Sequence, residues 1–137
     1  MEHLFAYGTL MCGSIMREVS GFDLPAVPGI LKDYCRRSVK GEPYPAIIPY
    51  RDGRVEGMVY RNVPGLAWDR LDRFEGEMYV RKRVRIVLDN GAVSPANTYV
   101  LQPGFESRLD RSDWDFGEFL RNGKVSFQQH YKGYLSL

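Results

Sequence analysis

The first feature of this sequence that could carry chemistry is the turn Tyr7-Gly8-Thr9-Leu10, which follows the short apolar run from Leu4 to Tyr7. A glycine at such a turn lets successive backbone N–H groups point into one concavity, where they can bind an anion. Turns of this kind are common after buried strands. Local sequence alone therefore favours a purely structural role.

The second feature is Glu75, which ends a helix predicted from about Leu66 to Glu75. We expect its side chain on the inward side, one turn beyond Leu71. Partial burial and the negative end of the helix dipole both raise the pKa of such a carboxyl. A glutamate tuned in this way can accept and return a proton near neutral pH. An ordinary exposed glutamate paired with Arg73 or Arg81 is the alternative, and local sequence alone favours it.

A third candidate is the proline-rich segment Gly41–Pro49, in which Tyr44 would form a rigid wall. Packing and substrate contact are both open for Tyr44. The two histidines lie at opposite ends of the chain, at His3 and His130, and neither has partners at ligand spacing. Cys12 follows the turn without a histidine to act as its base, so we expect a buried thiol without a catalytic role.

Hydrophobic periodicity and turn residues predict the elements that must position these groups. The predicted strands are Leu4–Tyr7, several short strands joined by loops within residues 26–48, Val55–Tyr60 after a hairpin turn at Asp52-Gly53, Tyr79–Leu88, and Asn97–Leu101 after a turn at Asp89–Gly91. The predicted helices are Met11–Val19 with a cap at Ser14, Leu66–Phe74 between Pro64 and Gly76, and Trp114–Arg121 with Ser112 and Asp115 as a capping pair and Gly123 at its end. The last fourteen residues are compatible with a further helix. These elements predict an α+β fold that is mainly β.

Composition limits the classes of protein to which the chain can belong. With 137 residues, 44% hydrophobic and 26% charged, we expect one soluble domain over residues 1–137. The start has no basic lead or sustained apolar run, and no stretch approaches the length of a membrane span, so we expect a cytoplasmic protein. Only two cysteines occur, without metal-binding spacing, and we expect both to be free thiols.

The net charge of +2 is too small to indicate a polyanion partner. The basic run Arg81–Arg85 is typical of a solvated strand face. No nucleic-acid-binding motif accompanies it, so we expect no nucleic-acid partner.

In order and spacing, five short motifs resemble the γ-glutamylcyclotransferase superfamily, and in particular its AIG2-like branch, which includes γ-glutamylamine cyclotransferase. The matching segments are Phe5–Met11, Glu42–Ala46, Val55–Tyr60, Leu71–Gly76 and Tyr79–Arg81. The resemblance covers residues 4 to 101, and the tail after Gln102 carries no matching motif. It implies a small mixed β-barrel with two or three flanking helices.

The resemblance also implies roles for individual residues. Tyr7, Gly8, Thr9 and Leu10 would bind substrate through their backbone, and Glu75 would be the proton acceptor. Tyr44 and Tyr79 lie in two other matching segments, and we expect both to contact substrate. Glu77 does not match the motif position. A γ-glutamyl compound would cyclise to 5-oxoproline and release its amine, with no metal or organic cofactor.

Two other functions stay open on the sequence. A small-molecule-binding or regulatory module could keep the same pocket without the reaction, and a nucleic-acid-binding protein could use the Arg81–Arg85 face. The identity of the leaving amine, the role of the segment after Gln102 and the oligomeric state are equally open.

Overall fold

A computed structural model describes residues 2–135, and five of its strands form a closed barrel in the order β1-β3-β2-β4-β5. The strands are β1 (Glu2–Ala6), β2 (Ala26–Ser38), β3 (Pro45–Val63), β4 (Tyr79–Leu88) and β5 (Val93–Leu101). The predicted α+β fold, a small barrel with flanking helices, is confirmed. Residues 136 and 137 of the predicted C-terminal helix lie outside the described residues, as does Met1.

The β2–β3 hairpin forms the longest part of the barrel, and here the sequence prediction was wrong. Short strands were expected within residues 26–48, but β2 runs unbroken through Pro28 and Gly29. The predicted hairpin turn at Asp52-Gly53 lies inside β3, where the register against β2 shifts between Lys32 and Tyr34. The Asp52 amide donates to Asp33 Oδ1 at 3.0 Å, so these residues form a bulge in a continuous strand.

The remaining hairpin confirms the predicted β4 and its connecting turn, but β5 begins at Val93, four residues before the predicted start at Asn97. Strand β4 has the expected bounds, and β5 pairs with it from Val87↔Val93 to Tyr79↔Leu101. The predicted turn at Asp89–Gly91 connects the two strands. Strand β1 pairs antiparallel with β3 and meets β5 in parallel at a single register pair, Leu4↔Asn97. The barrel closes at this seam between β1 and β5.

Two helices pack on the barrel before β4. Helix α1 (Gly13–Ser20) buries Ile15, Met16 and Val19, and helix α2 (Gly65–Glu75) buries Ala67, Trp68, Leu71 and Phe74. The predicted cap at Ser14 was wrong, because α1 begins after Cys12 and no side chain caps it. Helix α2 ends at Gly76, whose φ of 81° lies in the left-handed region that glycine adopts without strain.

The segment after β5 folds back over the end of the barrel. Asp115 caps helix α3 (Phe116–Glu118) by accepting from the Glu118 amide at 3.0 Å. A π-helical turn over Phe119–Gly123 then joins α3 to α4 (Lys124–His130), and α5 (Lys132–Leu135) follows. Gly123 therefore does not end the helix as predicted. Its backbone keeps right-handed helical angles, which lets α4 continue.

The buried side chains form two clusters that explain how the helices are held. One fills the barrel and includes Phe5, Leu31, Val59 and Ile86. The other lies between the barrel, α1, α2 and the C-terminal segment, and Phe127 is among its fully buried members. None of the helices in the described part of the chain has the length and apolar character that a membrane span requires.

Candidate functional site

A small cavity lies where the turn after β1 faces the end of α2. All seven residues predicted from the sequence line it: Tyr7, Gly8, Thr9, Leu10, Tyr44, Glu75 and Tyr79. The other lining residues are Leu4, Phe5, Ala6, Pro45, Phe74, Tyr99, Phe127 and Tyr131. The chain thus brings the predicted groups together, although their roles stay predictions.

Hydrogen bonds to two of its carbonyls hold the turn in place. Arg36 Nη1 donates to the Tyr7 carbonyl at 2.9 Å, and the Tyr60 hydroxyl donates to the Leu10 carbonyl at 2.6 Å. Thr9–Met11 form a short 3₁₀ turn. Among residues 2–135, no acceptor is found for the amides of Gly8, Thr9 and Leu10. Such amides are available to an anion.

Gly8 is required by the close approach of Pro45. A Cβ built at Gly8 would lie 2.9 Å from Pro45 Cγ and 3.0 Å from its Cδ, closer than side-chain atoms pack. A hydrogen bond also holds Pro45 in place, since the Tyr79 hydroxyl donates to the Pro45 carbonyl at 2.7 Å. The shape of the anion-facing turn therefore depends on Pro45.

Glu75 has an unusual environment for a carboxyl group. It follows the buried Phe74 on the last turn of α2. No described residue donates a hydrogen bond to its carboxylate or pairs with it. Burial raises the pKa of Glu75 to about 8, and the negative charge of Asp72 contributes to the rise. At neutral pH this group can take up and release a proton, as a general acid/base requires.

The tyrosines of the site divide into two kinds. The hydroxyls of Tyr7 and Tyr79 both donate to backbone carbonyls, and that of Tyr7 donates to the Tyr99 carbonyl at 2.6 Å. Burial raises the pKa of both phenols well above the usual value. Tyr44 instead offers its ring to the cavity, and it meets Tyr131 edge-on at 5.1 Å between ring centroids. Tyr7 and Tyr79 therefore shape the walls.

Sequence reasoning missed a polar chain behind the site. The Tyr99 hydroxyl donates to Asp72 Oδ1 at 2.7 Å, and Arg81 Nε lies 3.4 Å from the same oxygen. The Arg81 guanidinium also lies over the Trp68 ring, 4.7 Å from its centroid. Asp72 belongs to a matching motif and lies three residues before Glu75, which was the one available signal.

Sequence reasoning also missed the wall contributed by the C-terminal segment. Phe127 and Tyr131 stack at 4.5 Å between centroids, and the Tyr131 hydroxyl donates to the Glu75 carbonyl at 3.0 Å. The segment carries no motif, so only its aromatic content could have pointed to a packing role.

The other candidates lie outside this site. His3 accepts a hydrogen bond from the Asn62 amide at 3.0 Å, and His130 lies exposed on α4. Cys12 is buried beside Ser14, as expected, and both cysteines are free. No group of three or more metal-ligating side chains occurs within residues 2–135.

The arrangement defines a class of protein: a small closed barrel in which a glycine turn after the first strand faces a glutamate at a helix end. This is the γ-glutamyl cyclotransferase type of barrel. The family described as gamma-glutamyl cyclotransferase, AIG2-like, matches residues 4–116 of this chain. The chain belongs to this AIG2-like family.

Known relatives agree with this assignment. AIG2-like protein D of Arabidopsis thaliana is 30% identical over 139 residues, which cover 100% of this chain and 86% of that protein. A solution structure of another Arabidopsis thaliana protein superposes with a TM-score of 0.70 at 27% identity, covering 98% of this chain and 82% of that one. A yeast γ-glutamyl cyclotransferase specific to glutathione superposes with a TM-score of 0.58 at 16% identity, covering 94% and 87%. That last likeness establishes the fold alone.

Proposed function

We propose that this protein is a γ-glutamyl cyclotransferase-type enzyme that converts a γ-glutamyl amine or related compound to 5-oxoproline and free amine. The observation that carries the proposal is Glu75, a carboxyl with a pKa raised to about 8 in the same cavity as the amides of Gly8, Thr9 and Leu10, which have no acceptor within residues 2–135. Membership of the AIG2-like family supports the same reaction class.

The reaction needs no nucleophile from the protein. The substrate's α-amine attacks its own side-chain amide carbonyl, one C–N bond forms in the five-membered lactam, and the original amide C–N bond breaks. Glu75 accepts the proton that the attacking ammonium must lose and returns it to the departing nitrogen, which leaves poorly without it. Atoms balance without water, since 5-oxoproline and the free amine together contain every atom of the substrate.

The amides of Gly8, Thr9 and Leu10 supply partial positive charge that can stabilise a negatively charged group of the substrate. They would bind the substrate's α-carboxylate or the oxyanion that develops on the attacked carbonyl. Binding the substrate in its bent conformer places amine and carbonyl in contact, and such proximity lowers a barrier by on the order of 7–11 kcal/mol at best. The buried side chains of Tyr7 and Tyr79 form part of the cavity wall and keep the shape of the cavity rigid.

The decisive experiment compares two neighbouring glutamates. Glu75→Gln should lower 5-oxoproline release from a panel of γ-glutamyl compounds by about 10²–10⁴-fold in kcat, with little change in KM. Glu77→Gln is the matched control because Glu77 is exposed and does not line the cavity, so its turnover should equal that of the wild type. Undiminished turnover in Glu75→Gln would remove Glu75 from the proposed role.

One observation favours a second candidate, a non-catalytic small-molecule-binding or regulatory module. The cavity volume is only about 20 Å³, room for about one water molecule, and Phe127 and Tyr131 of the C-terminal segment form part of its lining. A module of this kind would bind a γ-glutamyl compound and release no 5-oxoproline after long incubation. Calorimetric titration beside a product assay separates the two functions.

A further inference from the structure

Cys12 lies directly before helix α1, and the first turn of that helix contains no acidic residue. The sulfur of Cys12 lies 3.3 Å from the hydroxyl oxygen of Ser14. Backbone N–H groups in the first turn of a helix carry partial positive charge, so the beginning of α1 favours a negative charge on this sulfur. Cysteines at such positions are stabilised as the thiolate, which is the reactive form.

A cation from a distant part of the chain reaches the same place. Lys124, at the start of α4, donates from Nζ to the Ser14 hydroxyl oxygen at 3.0 Å. Since an ammonium group only donates, Ser14 accepts this bond and keeps its own hydroxyl proton for the Cys12 sulfur. Lys124 forms no ion pair with a carboxylate within residues 2–135. Its charge is therefore available to stabilise a thiolate at Cys12.

Burial and these polar groups act on the Cys12 thiol in opposite directions. Burial favours the neutral thiol, but the Ser14 hydroxyl, the Ile15 amide and the Lys124 charge outweigh it and lower the pKa of Cys12 below its ordinary value. The Tyr60 phenol also lies near this sulfur. Burial raises the pKa of Tyr60 to about 12, so the phenol stays neutral and adds no charge near pH 7.

Cys35 offers a comparison within the same chain. It lies half-buried in β2, and is therefore more exposed than Cys12, which is 8% exposed. In the part of the chain that the structure describes, no hydrogen bond to the Cys35 sulfur is found. If exposure alone determined reactivity, Cys35 would react faster than Cys12. Stabilisation of the thiolate predicts the opposite order.

We propose that Cys12 is an oxidative modification site for small peroxides, built by the Ser14 hydroxyl and the Lys124 ammonium group beside the start of α1. The thiolate sulfur attacks one oxygen of hydrogen peroxide, so an S–O bond forms and the O–O bond breaks. The sulfur is oxidised by two electrons to a sulfenic acid, and the departing hydroxide takes a proton from solvent and leaves as water. This site does not depend on the proposed reaction.

The test compares the two cysteines in the fully reduced wild-type protein. Hydrogen peroxide is added at pH 7 for increasing times, catalase removes it, and excess N-ethylmaleimide in urea alkylates the remaining thiols. Peptide mass spectrometry then gives the rate at which each thiol is lost. We expect Cys12 to be oxidised on the order of tenfold faster than Cys35. Equal rates, a faster loss of Cys35, or no loss of Cys12 would overturn the inference.

A substitution tests the contribution of Lys124. Lys124→Met keeps most of the side-chain volume and removes the charge, so oxidation of Cys12 at pH 7 should slow several-fold and its pH profile should move to higher pH. Lys132→Met, at an exposed lysine of the same segment, is the matched control and should keep the wild-type rate and profile. A Cys12 profile that is the same in both variants would remove Lys124 from the site. If Lys124→Met does not fold, the comparison of Cys12 with Cys35 in the wild type decides the inference.

Discussion

The hydroxyl of Tyr131 donates a 3.0 Å hydrogen bond to the main-chain carbonyl of Glu75. This bond joins the C-terminal segment to the last turn of α2, whose final carbonyls have no partner within the helix. The residue proposed as the proton carrier is thus held in place by a part of the chain that carries none of the family motifs.

Tyr131→Phe removes this bond and keeps the ring. We expect the free energy of unfolding to fall by about 1 kcal/mol. Hydrogen exchange of the amides in α4 should become faster, because the segment loses an anchor at its far end. Mass-spectrometric hydrogen exchange checks the second point. Tyr50→Phe, at a tyrosine that is 54% exposed, is the control. Exchange in α4 that is the same in both variants would show that the bond does not hold the segment.

Glu75 should make the protein less stable as pH rises. Its pKa is about 8 in the folded state, against an ordinary value of 4.5, so between these values the folded state binds more protons than the unfolded state. The free energy of unfolding therefore falls with rising pH through this window and levels off above about pH 8. Glu75→Gln cannot ionise, so at pH 8.5 it should be more stable than the wild type by on the order of 3 kcal/mol. Urea unfolding at pH 5 and 8.5 measures the difference. Parallel pH dependence in both proteins would contradict the raised pKa of this carboxyl.

Asp72 should set part of the pH dependence of turnover. In the proposed reaction the base form of Glu75 is the active form, so kcat/KM should rise with pH to a plateau above about pH 8. Asp72→Asn removes a nearby negative charge that disfavours ionisation of Glu75. The rise in kcat/KM should therefore move to lower pH, by roughly half a pH unit to one unit. Asp69→Asn, at an exposed position on the same helix, should leave the profile in place. A profile that Asp72→Asn does not move would exclude this coupling.

Gly8→Ala tests the close approach of Pro45. The added methyl group would lie 2.9 Å from Pro45 Cγ, so either the turn or the proline must shift. We expect a loss of about 1–3 kcal/mol in the free energy of unfolding and a higher KM, because the turn amides move with Gly8. Gly13→Ala is the matched control, since a Cβ there meets no atom within 4 Å. Chemical denaturation and substrate titration measure both effects. Equal stability of the two variants would show that the packing tolerates the change.

The parts of the fold that sequence reasoning recovered are those with local causes. Helix α2 has an amphipathic pattern between Pro64 and Gly76, and β4 alternates with Lys82 as an exception, so both were predicted with nearly correct bounds. The length of β2 was missed because Pro28 and Gly29 look like strand breakers. Pro28 has a partner in β3 only, because the pairing of β2 with β4 begins at Gly29, and a strand tolerates a residue without an N–H group where one side is unpaired.

The same distinction between local and long-range causes applies to the candidate site. Glu75 and the Tyr7–Leu10 turn lie in short motifs, so the sequence could nominate them. Contacts between distant parts of the chain could not be foreseen. The hydroxyl of Tyr99 meets Asp72 across 27 positions, and Tyr131 reaches Glu75 across 56. Such pairs depend on how the barrel closes and where the C-terminal segment lies.

The barrel closes where β1 meets β5, and few hydrogen bonds join the two strands. Strand β1 is bonded along its length to β3, but it meets β5 at one register pair and through the Thr98 hydroxyl, which donates to the Phe5 carbonyl at 2.9 Å. We therefore expect local opening of the barrel to begin at this seam, which the Tyr7 hydroxyl also spans by donating to the Tyr99 carbonyl at 2.6 Å. We expect an anion bound to the turn amides to stabilise the closed barrel as well. The melting temperature of the protein should then rise with occupancy of the site.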